Sequence, residues 1–376
     1  MHRFLNKFAA PIARRFPIFL RKPLQHMREA SLKRAESKHV DETPQRRLAT
    51  AEYEQRISDE QAIFDQQEIV HDLPEIYHYW SNKYLRPIVE EFGFSNPDQF
   101  FVLFLSRCLD EQPGRKLRFA SLGCGNCDTE VRVARALVDG GYSQFTIECV
   151  DINKTMLDRG VALAQEAGVS AQIQPMIGDF NQWRPHGKFD AIMANQSLHH
   201  VVELEDLFQS IEKSLQPDGR FVAADMIGRN GHMLWPEALQ IVHEFWRELP
   251  REKTFNVQLR RYEELYENWD CSGEGFEGIR AQDILPLLVE RFDFEFFVGF
   301  ANVIDPFIGR SFGAHLDVNS EEDRQFVDRV HARDESEMLA GHIKPTHAMA
   351  VMRKRPFKNL QHWKNMTPEF CVRTPD

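Results

Sequence analysis

A chain of 376 residues, 42% of them hydrophobic, is long enough for one large domain or two ordinary ones built around a real core. Its net charge of −11 is uneven: residues 1–50 carry 12 Lys or Arg against 4 Asp or Glu, which leaves the remaining body at −19 and argues against a nucleic-acid partner. The six cysteines, Cys108, Cys124, Cys127, Cys149, Cys271 and Cys371, lack the spacing of a disulfide framework; reduced thiols and a cytoplasmic location are expected.

In chain order, residues 1–50 form a basic segment. Within residues 1–24, Phe4, Phe8, Phe16 and Phe19 alternate with Arg14, Arg15, Arg21 and Lys22, while Pro11, Pro17 and Pro23 interrupt any long helix. No apolar run there approaches the ~18 residues of a bilayer span, and a secretory apolar stretch is absent. Two readings stay open: a peripheral membrane or partner contact, and a mobile basic tail.

Residues 51–112 read as a helical cap. Ile57–Val70 is charged and amphipathic, and Glu75–Phe92 carries Tyr77, Tyr79, Trp80 and Tyr84. Asn96-Pro97-Asp98 has the form of a helix start before apolar Phe100–Leu105. The aromatic cluster either lines a ligand cavity or packs the helices onto a sheet; Tyr79, Trp80 and Tyr84 are the candidates for substrate contact.

From 117 to 227 the pattern alternates: strands at 117–122, 145–150, 172–177, 189–194 and 220–226, with helices at 128–139, 153–167 and 203–215. Such alternation predicts an α/β fold with a mostly parallel sheet, whose ligands bind beyond the carboxyl ends of the strands. The conspicuous motifs sit at those ends. Ser121-Leu122-Gly123-Cys124-Gly125-Asn126-Cys127 turns the first strand into a helix, and its glycines permit backbone angles and close approaches that a Cβ forbids. Asp151, with Ile152 beside it, ends the next strand, where an acid is placed to hold ribose hydroxyls. Gly178-Asp179-Phe180 follows the third strand. Asn195 closes the fourth, ahead of Gln196-Ser197-Leu198-His199-His200.

This ordered set resembles the class I S-adenosylmethionine-dependent methyltransferases, over roughly residues 115 to 227. The resemblance implies a Rossmann-like sheet with an antiparallel last strand and S-adenosylmethionine as cofactor, in a domain spanning 113–355. It implies that Gly123 and Gly125 approach the methionine and ribose portions, that Asp179 with Phe180 meets the adenine, and that Asn195 contacts the amino-acid end. Two positions depart from the family pattern. Ser121 stands where an acid is frequent, and Cys127 replaces a third glycine. The Cys124–Cys127 pair lies within the turn and has no second pair, so no metal site is expected.

On the acceptor side, His199 and His200 are the candidate catalytic residues, because imidazole titrates near neutrality and takes a proton from a hydroxyl; bracing of the loop is the other reading. Residues 229–280 form a helical insertion after the fifth strand. Helices are expected over Gly231–Leu249 and Phe255–Trp269, and His232, Trp235, Glu237 and His243 offer an acceptor lid. A helix at Ala281–Glu290, a strand at Phe292–Val303, a helix at Glu321–Leu339 and a strand at Thr346–Met352 complete the domain, and 356–376 is expected to be a surface extension. The expected activity is methyl transfer to a small-molecule acceptor, a hydroxyl of a glycan or secondary metabolite. The alternatives are a macromolecular acceptor (RNA or protein) and a non-catalytic interaction module. The oligomeric state is left open.

Overall fold

Short apolar runs bounded by polar turns become the strands β1 (Leu117–Leu122), β2 (Phe145–Asp151), β3 (Ile173–Ile177), β4 (Phe189–Asn195) and β5 (Leu215–Met226). The computed structural model describes residues 50–65, 73–273 and 275–373. The basic head, with the membrane or partner contact expected of residues 1–24, lies outside the described residues. β8 (Asp293–Phe300), β9 (His347–Arg353) and β10 (Gln361–His362) complete one eight-stranded sheet in the order β10-β8-β9-β5-β4-β1-β2-β3. The pairs β1–β2, β2–β3, β1–β4 and β4–β5 are parallel, and β9 runs antiparallel between β5 and β8. This is the mostly parallel sheet with an antiparallel late strand that the alternation and the resemblance led us to expect.

Strands covered on both faces read as continuous apolar runs rather than alternating ones, and Phe119, Ala120, Ile192, Met193, Phe221 and Val222 are all buried at the sheet centre. On one side pack α3 (Pro97–Glu111), α4 (Asp128–Asp139) and α5 (Lys154–Glu166); α6 (Leu204–Ser214) packs against α8 (Ala281–Arg291). α3 begins as its sequence predicts. The Asn96 side chain accepts from Gln99 N, Pro97 takes the first turn, and Phe100, Phe101, Phe104, Leu105 and Cys108 form the buried face. Ahead of it lie α1 (Thr50–Asp65) and α2, which runs over Glu75–Trp80, passes a π-helical turn at Ser81–Leu85 and continues over Arg86–Glu90.

Three stretches depart from expectation. The second helix expected at Phe255–Trp269 is a short hairpin, β6 (Phe255–Asn256) with β7 (Arg261–Tyr262). Asn256 Oδ1 accepts from Leu259 N at 2.9 Å, and Arg260 takes a left-handed φ of 58°, so the turn is fixed by side-chain capping against helical continuation. The first insertion helix, α7, occupies only Pro236–Trp246, because Gly231 and His232 both hold positive φ. The C-terminal stretch is not a surface extension. β10 pairs with Phe296 and Phe297 of β8, α11 (Pro368–Cys371) follows, and Trp363, Met366 and Cys371 are buried. At the opposite edge, β3 ends the sheet with Pro175 in its middle and with Met176 and Ile177 exposed. α9 (Asp305–Ile308) and the long α10 (Glu321–Ala340) lie between β8 and β9 in the chain.

Candidate active site

The carboxyl ends of β1, β2, β3, β4 and β5 converge on one edge, and the motifs gather there. After β1, Gly123 and Gly125 take φ of 67° and 53°. A Cβ on Gly123 would stand 2.6 Å from Ser197 Cβ, and one on Gly125 would stand 3.1 Å from Met156 Cε, so a larger residue at either position would fill the cradle. Asp151 knits the turn to β2: Oδ2 accepts from Gly125 N and Oδ1 from Asn153 N, both at 2.8 Å. Burial pushes its carboxyl above the ordinary range against these two backbone donors. In the same turn the buried Asn126 Oδ1 has no hydrogen-bond partner among the described residues. A bare-backbone cradle, a strand-end carboxylate with lone pairs to spare and an unmatched buried acceptor fit a polar nucleoside ligand.

The two departures from the family pattern are both compensated. Cys127 takes the left-handed angle a glycine would take, φ 57°, at the start of α4. Opposite it, α5 carries Gly160, where a Cβ would stand 2.7 Å from Cys127 Sγ. The small residue has moved to the facing helix. Ser121 Oγ donates to Glu130 Oε1 at 2.6 Å. Glu130, on α4, is buried, and burial is the main cause that pushes its carboxyl up to about 8. An acid thus stands behind the turn after all.

Asp179 caps a 3-10 turn over Phe180–Gln182: its Oδ1 accepts from Asn181 N and its Oδ2 from the Tyr53 hydroxyl at 2.6 Å. Phe180 lies against Gly123. α1 reaches the loop after β2 as well, through Gln61 Nε2 donating to Ile152 O at 3.0 Å. Asn195, at the end of β4, donates to Thr129 Oγ1 at 3.1 Å.

Beyond β4 and β5 lies a cluster of histidines and carboxylates. Asp225, near the end of β5, accepts from Ser197 N and Leu198 N at 2.8 and 2.7 Å and holds His199 Nδ1 at 2.6 Å. His200 Nδ1 is 2.7 Å from Glu60 Oε1 of α1. Glu277, from the loop before α8, faces three imidazoles: its carboxylate is 2.7 Å from His232 Nε2, 3.6 Å from His199 Nε2 and 3.5 Å from His200 Nε2. Burial alone would lower His199, but the Asp225 and Glu277 carboxylates outweigh it and raise the imidazole to about 10. Partial desolvation pushes the Glu277 carboxyl up, but hydrogen bonds from His199 and His232 outweigh it and hold the group well below the usual carboxylate range.

The structure brings His199, His200 and His232 together and adds Asp225, Glu277 and Glu60. It places the other substrate candidates elsewhere. The Tyr79 and Tyr84 hydroxyls donate to Asp328 of α10 at 2.9 and 2.6 Å, and Trp80 Nε1 donates to His331 Nδ1 at 3.2 Å, so this trio joins α2 to α10. Trp235 takes the Arg229 and Arg373 guanidinium groups at 5.2 and 4.1 Å from its ring centre, Glu237 pairs with Arg373, and His243 Nε2 lies 2.9 Å from Tyr266 O. Of the missed residues, Asp225 carried a legible signal: it ends an apolar strand just as Asp151 does. Glu277 sits in a loop between Gly275 and Gly278 with no periodicity to mark it.

The fold and the converging strand-end motifs define a class I S-adenosylmethionine-dependent methyltransferase, an enzyme whose cofactor is S-adenosylmethionine. Residues 120–219 match the family profile described as a methyltransferase domain. The chain is 23% identical over 195 residues to the 27-O-demethylrifamycin SV methyltransferase of Amycolatopsis mediterranei, covering 47% of this chain and 68% of that one. It is 27% identical over 108 residues to the sterol 24-C-methyltransferase erg-4 of Neurospora crassa, covering 28% of this chain and 27% of that one. Among solved structures, geranyl diphosphate C-methyltransferase from Streptomyces coelicolor A3(2) aligns over 80% of this chain and 97% of its own, at 14% identity and a TM-score of 0.42. Among the described residues, no helix is long and apolar enough to cross a membrane.

Proposed function

We propose that the enzyme methylates an oxygen of a small-molecule acceptor, a hydroxyl of a glycan or secondary metabolite, with one histidine of the His199–His200 pair receiving the proton. One observation carries this reading. Each histidine is backed on Nδ1 by a buried carboxylate, Asp225 or Glu60, and has Nε2 within 3.6 Å of Glu277. A carboxylate behind Nδ1 fixes the tautomer and ring orientation and stabilises the imidazolium that forms.

Bound S-adenosylmethionine supplies a methyl group on a positively charged sulfur, so the chain has mainly to orient, to exclude water and to remove a proton. In this reading Gly123 and Gly125 present bare backbone to the cofactor, Asp151 with Ile152 takes the ribose hydroxyls, Asp179 with Phe180 the adenine, and Asn195 the amino-acid end. Ser121 is held in place by Glu130, a buried carboxyl behind the turn. The printed name of the Amycolatopsis relative, which refers to a 27-O-demethyl compound, supports an oxygen acceptor. The acidic body supports a small molecule over RNA.

The test is methyl transfer by the full chain to a panel of hydroxylated glycans and secondary metabolites. Replacing both histidines, H199A with H200A, is expected to lower kcat at least ~100-fold, the scale of general-base catalysis, while calorimetry finds S-adenosylmethionine affinity unchanged. Full activity in the double variant would remove the histidine pair from the mechanism. A panel in which only amino or carbon acceptors are methylated would overturn the oxygen assignment.

A further inference from the structure

Three ligand-type side chains at the acceptor end come from three separate segments and lie side by side. One ring nitrogen from each of His199 and His232 and a Glu277 carboxylate oxygen lie within 4.8 Å of one another, and it is Nε2 of each histidine that faces Glu277. Nitrogen and oxygen ligands about 2.1 Å from a transition metal stand roughly 3 to 3.5 Å apart around it. The observed separations of 2.7 Å (His232 to Glu277) and 3.6 Å (His199 to Glu277) bracket that spacing.

The surroundings are built rather than accidental. The far nitrogen of His199 is held by Asp225, the carboxylate–imidazole arrangement that orients ligating histidines, and Asp225 is itself pinned by backbone N–H groups of Ser197, Leu198 and Met226. Main-chain bonds tie the three segments together: Ile279 N donates to His199 O at 3.1 Å, and Gly231 N donates to Gly278 O at 2.9 Å. His232 sits at a left-handed φ of 55°, a strained angle for a non-glycine residue, and such angles persist where the surrounding structure enforces them. Gly278 lies flush on its ring: a Cβ there would be 3.1 Å from His232 Cε1. Glu277 has 39% of its side chain exposed, so among the described residues the cluster is closed on one side and open on the other.

We propose that His199 Nε2, His232 Nε2 and the Glu277 carboxylate bind one divalent transition-metal ion of the Zn2+, Fe2+ or Mn2+ kind, with its open side turned to the acceptor oxygen. Two imidazoles and one carboxylate suit these ions better than Ca2+ or Mg2+. The acceptor half of the proposal rests on the oxygen-methylation reading above; metal binding itself does not. An acceptor hydroxyl on the ion becomes more acidic. Its proton passes to His200, which is paired with Glu60 and whose nitrogens the ion does not take. The oxygen lone pair then forms the bond to the methyl carbon while the methyl–sulfur bond breaks, and that electron pair stays on sulfur.

The experiment uses the full chain, stripped by a chelator, desalted and titrated with Zn2+ and with Co2+ in the absence of S-adenosylmethionine and acceptor. One equivalent is expected to bind. H232A and E277Q should each weaken binding at least ~100-fold, D225N by about 10- to 100-fold as a positioning residue, and C149S should leave it unchanged. The cobalt spectrum should show ligand-field bands without thiolate charge transfer. Two results overturn the site: no metal retained by the wild-type chain, or retention that survives H232A and E277Q but is lost in C149S, which would assign the ion to the Cys124, Cys127 and Cys149 thiols that also lie together. S-adenosylmethionine calorimetry on each variant checks that it is folded. Metal binding by a chain that does not bind the cofactor would keep the site and remove the mechanism. Undiminished methyl transfer by the metal-free enzyme would overturn the acceptor half.

Discussion

Glu130 is a carboxyl enclosed by the protein with a serine hydroxyl as its close partner, and its environment sets a measurable sign. Burial raises it from 4.5 to about 8, so the folded chain keeps a proton that the unfolded chain releases. Stability from this group is therefore highest at acid pH and is lost as pH rises from 4.5 to about 8. We expect the Tm of the cofactor-free enzyme to fall across that window relative to E130Q, whose amide does not titrate. Parallel Tm profiles for the two proteins would show that Glu130 does not hold the extra proton. At this scale the placement of Gly123, Gly125, Asp151, Asp179 and Asn195 at strand ends was legible, because each closes or closely follows an apolar run. Glu130, Glu60 and Glu277 were not: they reach the site only when a helix face or a loop folds over it, and nothing in their own neighbourhood marks that.

Among the elements, α1 does more than extend a helical cap. Tyr53 reaches Asp179, Gln61 reaches Ile152 and Glu60 reaches His200, so one helix touches both the expected cofactor end and the acceptor end. Arg56 anchors it from the other side by donating to Ser272 O at 2.8 Å and Gly275 O at 2.6 Å. Hydrogen bonds from a charged donor contribute roughly 1.5–3 kcal/mol each, and a partly exposed arginine sits at the low end. R56A is expected to let α1 lift and to speed S-adenosylmethionine dissociation several-fold in stopped-flow measurements, with kcat affected less. An unchanged dissociation rate would mean that α1 does not cover the cofactor. The helix was visible only in part: the charged, amphipathic run was read from Ile57, its last residues 66–70 lie outside the described residues, and the helix starts at Thr50, ahead of Tyr53 and Arg56; its targets were not visible, since contacts between residues so far apart in the chain leave no periodic trace. The hairpin at Phe255–Tyr262 was misread for the opposite reason. Its apolar spacing suits a helix, and one asparagine cap with one left-handed arginine decides against it.

For the molecule as a whole, the parallel direction of the central strands followed from the alternation of apolar runs and amphipathic helices, while the closing of the β8 side did not. Residues 356–373 are polar overall, yet they bury Trp363, Met366 and Cys371 and add β10. Met366 is fully enclosed. M366A is expected to cost about 2–4 kcal/mol, the ordinary range for emptying a buried methionine site, seen as a lower urea midpoint at unchanged slope. A shift below ~0.5 kcal/mol, the scale of a surface substitution, would show that the tail is only loosely held.

The two margins of the sheet are finished differently, and this bears on how the protein keeps to itself when concentrated. One margin is sealed by the chain's own last strand. The other, β3, has no further strand beside it among the described residues, exposes Met176 and Ile177, and carries Pro175, which has no N–H to offer a docking strand. An ordinary β-forming residue there, such as threonine, would complete a row of donors beside two bare hydrophobic side chains. A residue that takes no part in the chemistry is thus expected to govern how well this edge resists strand-to-strand association.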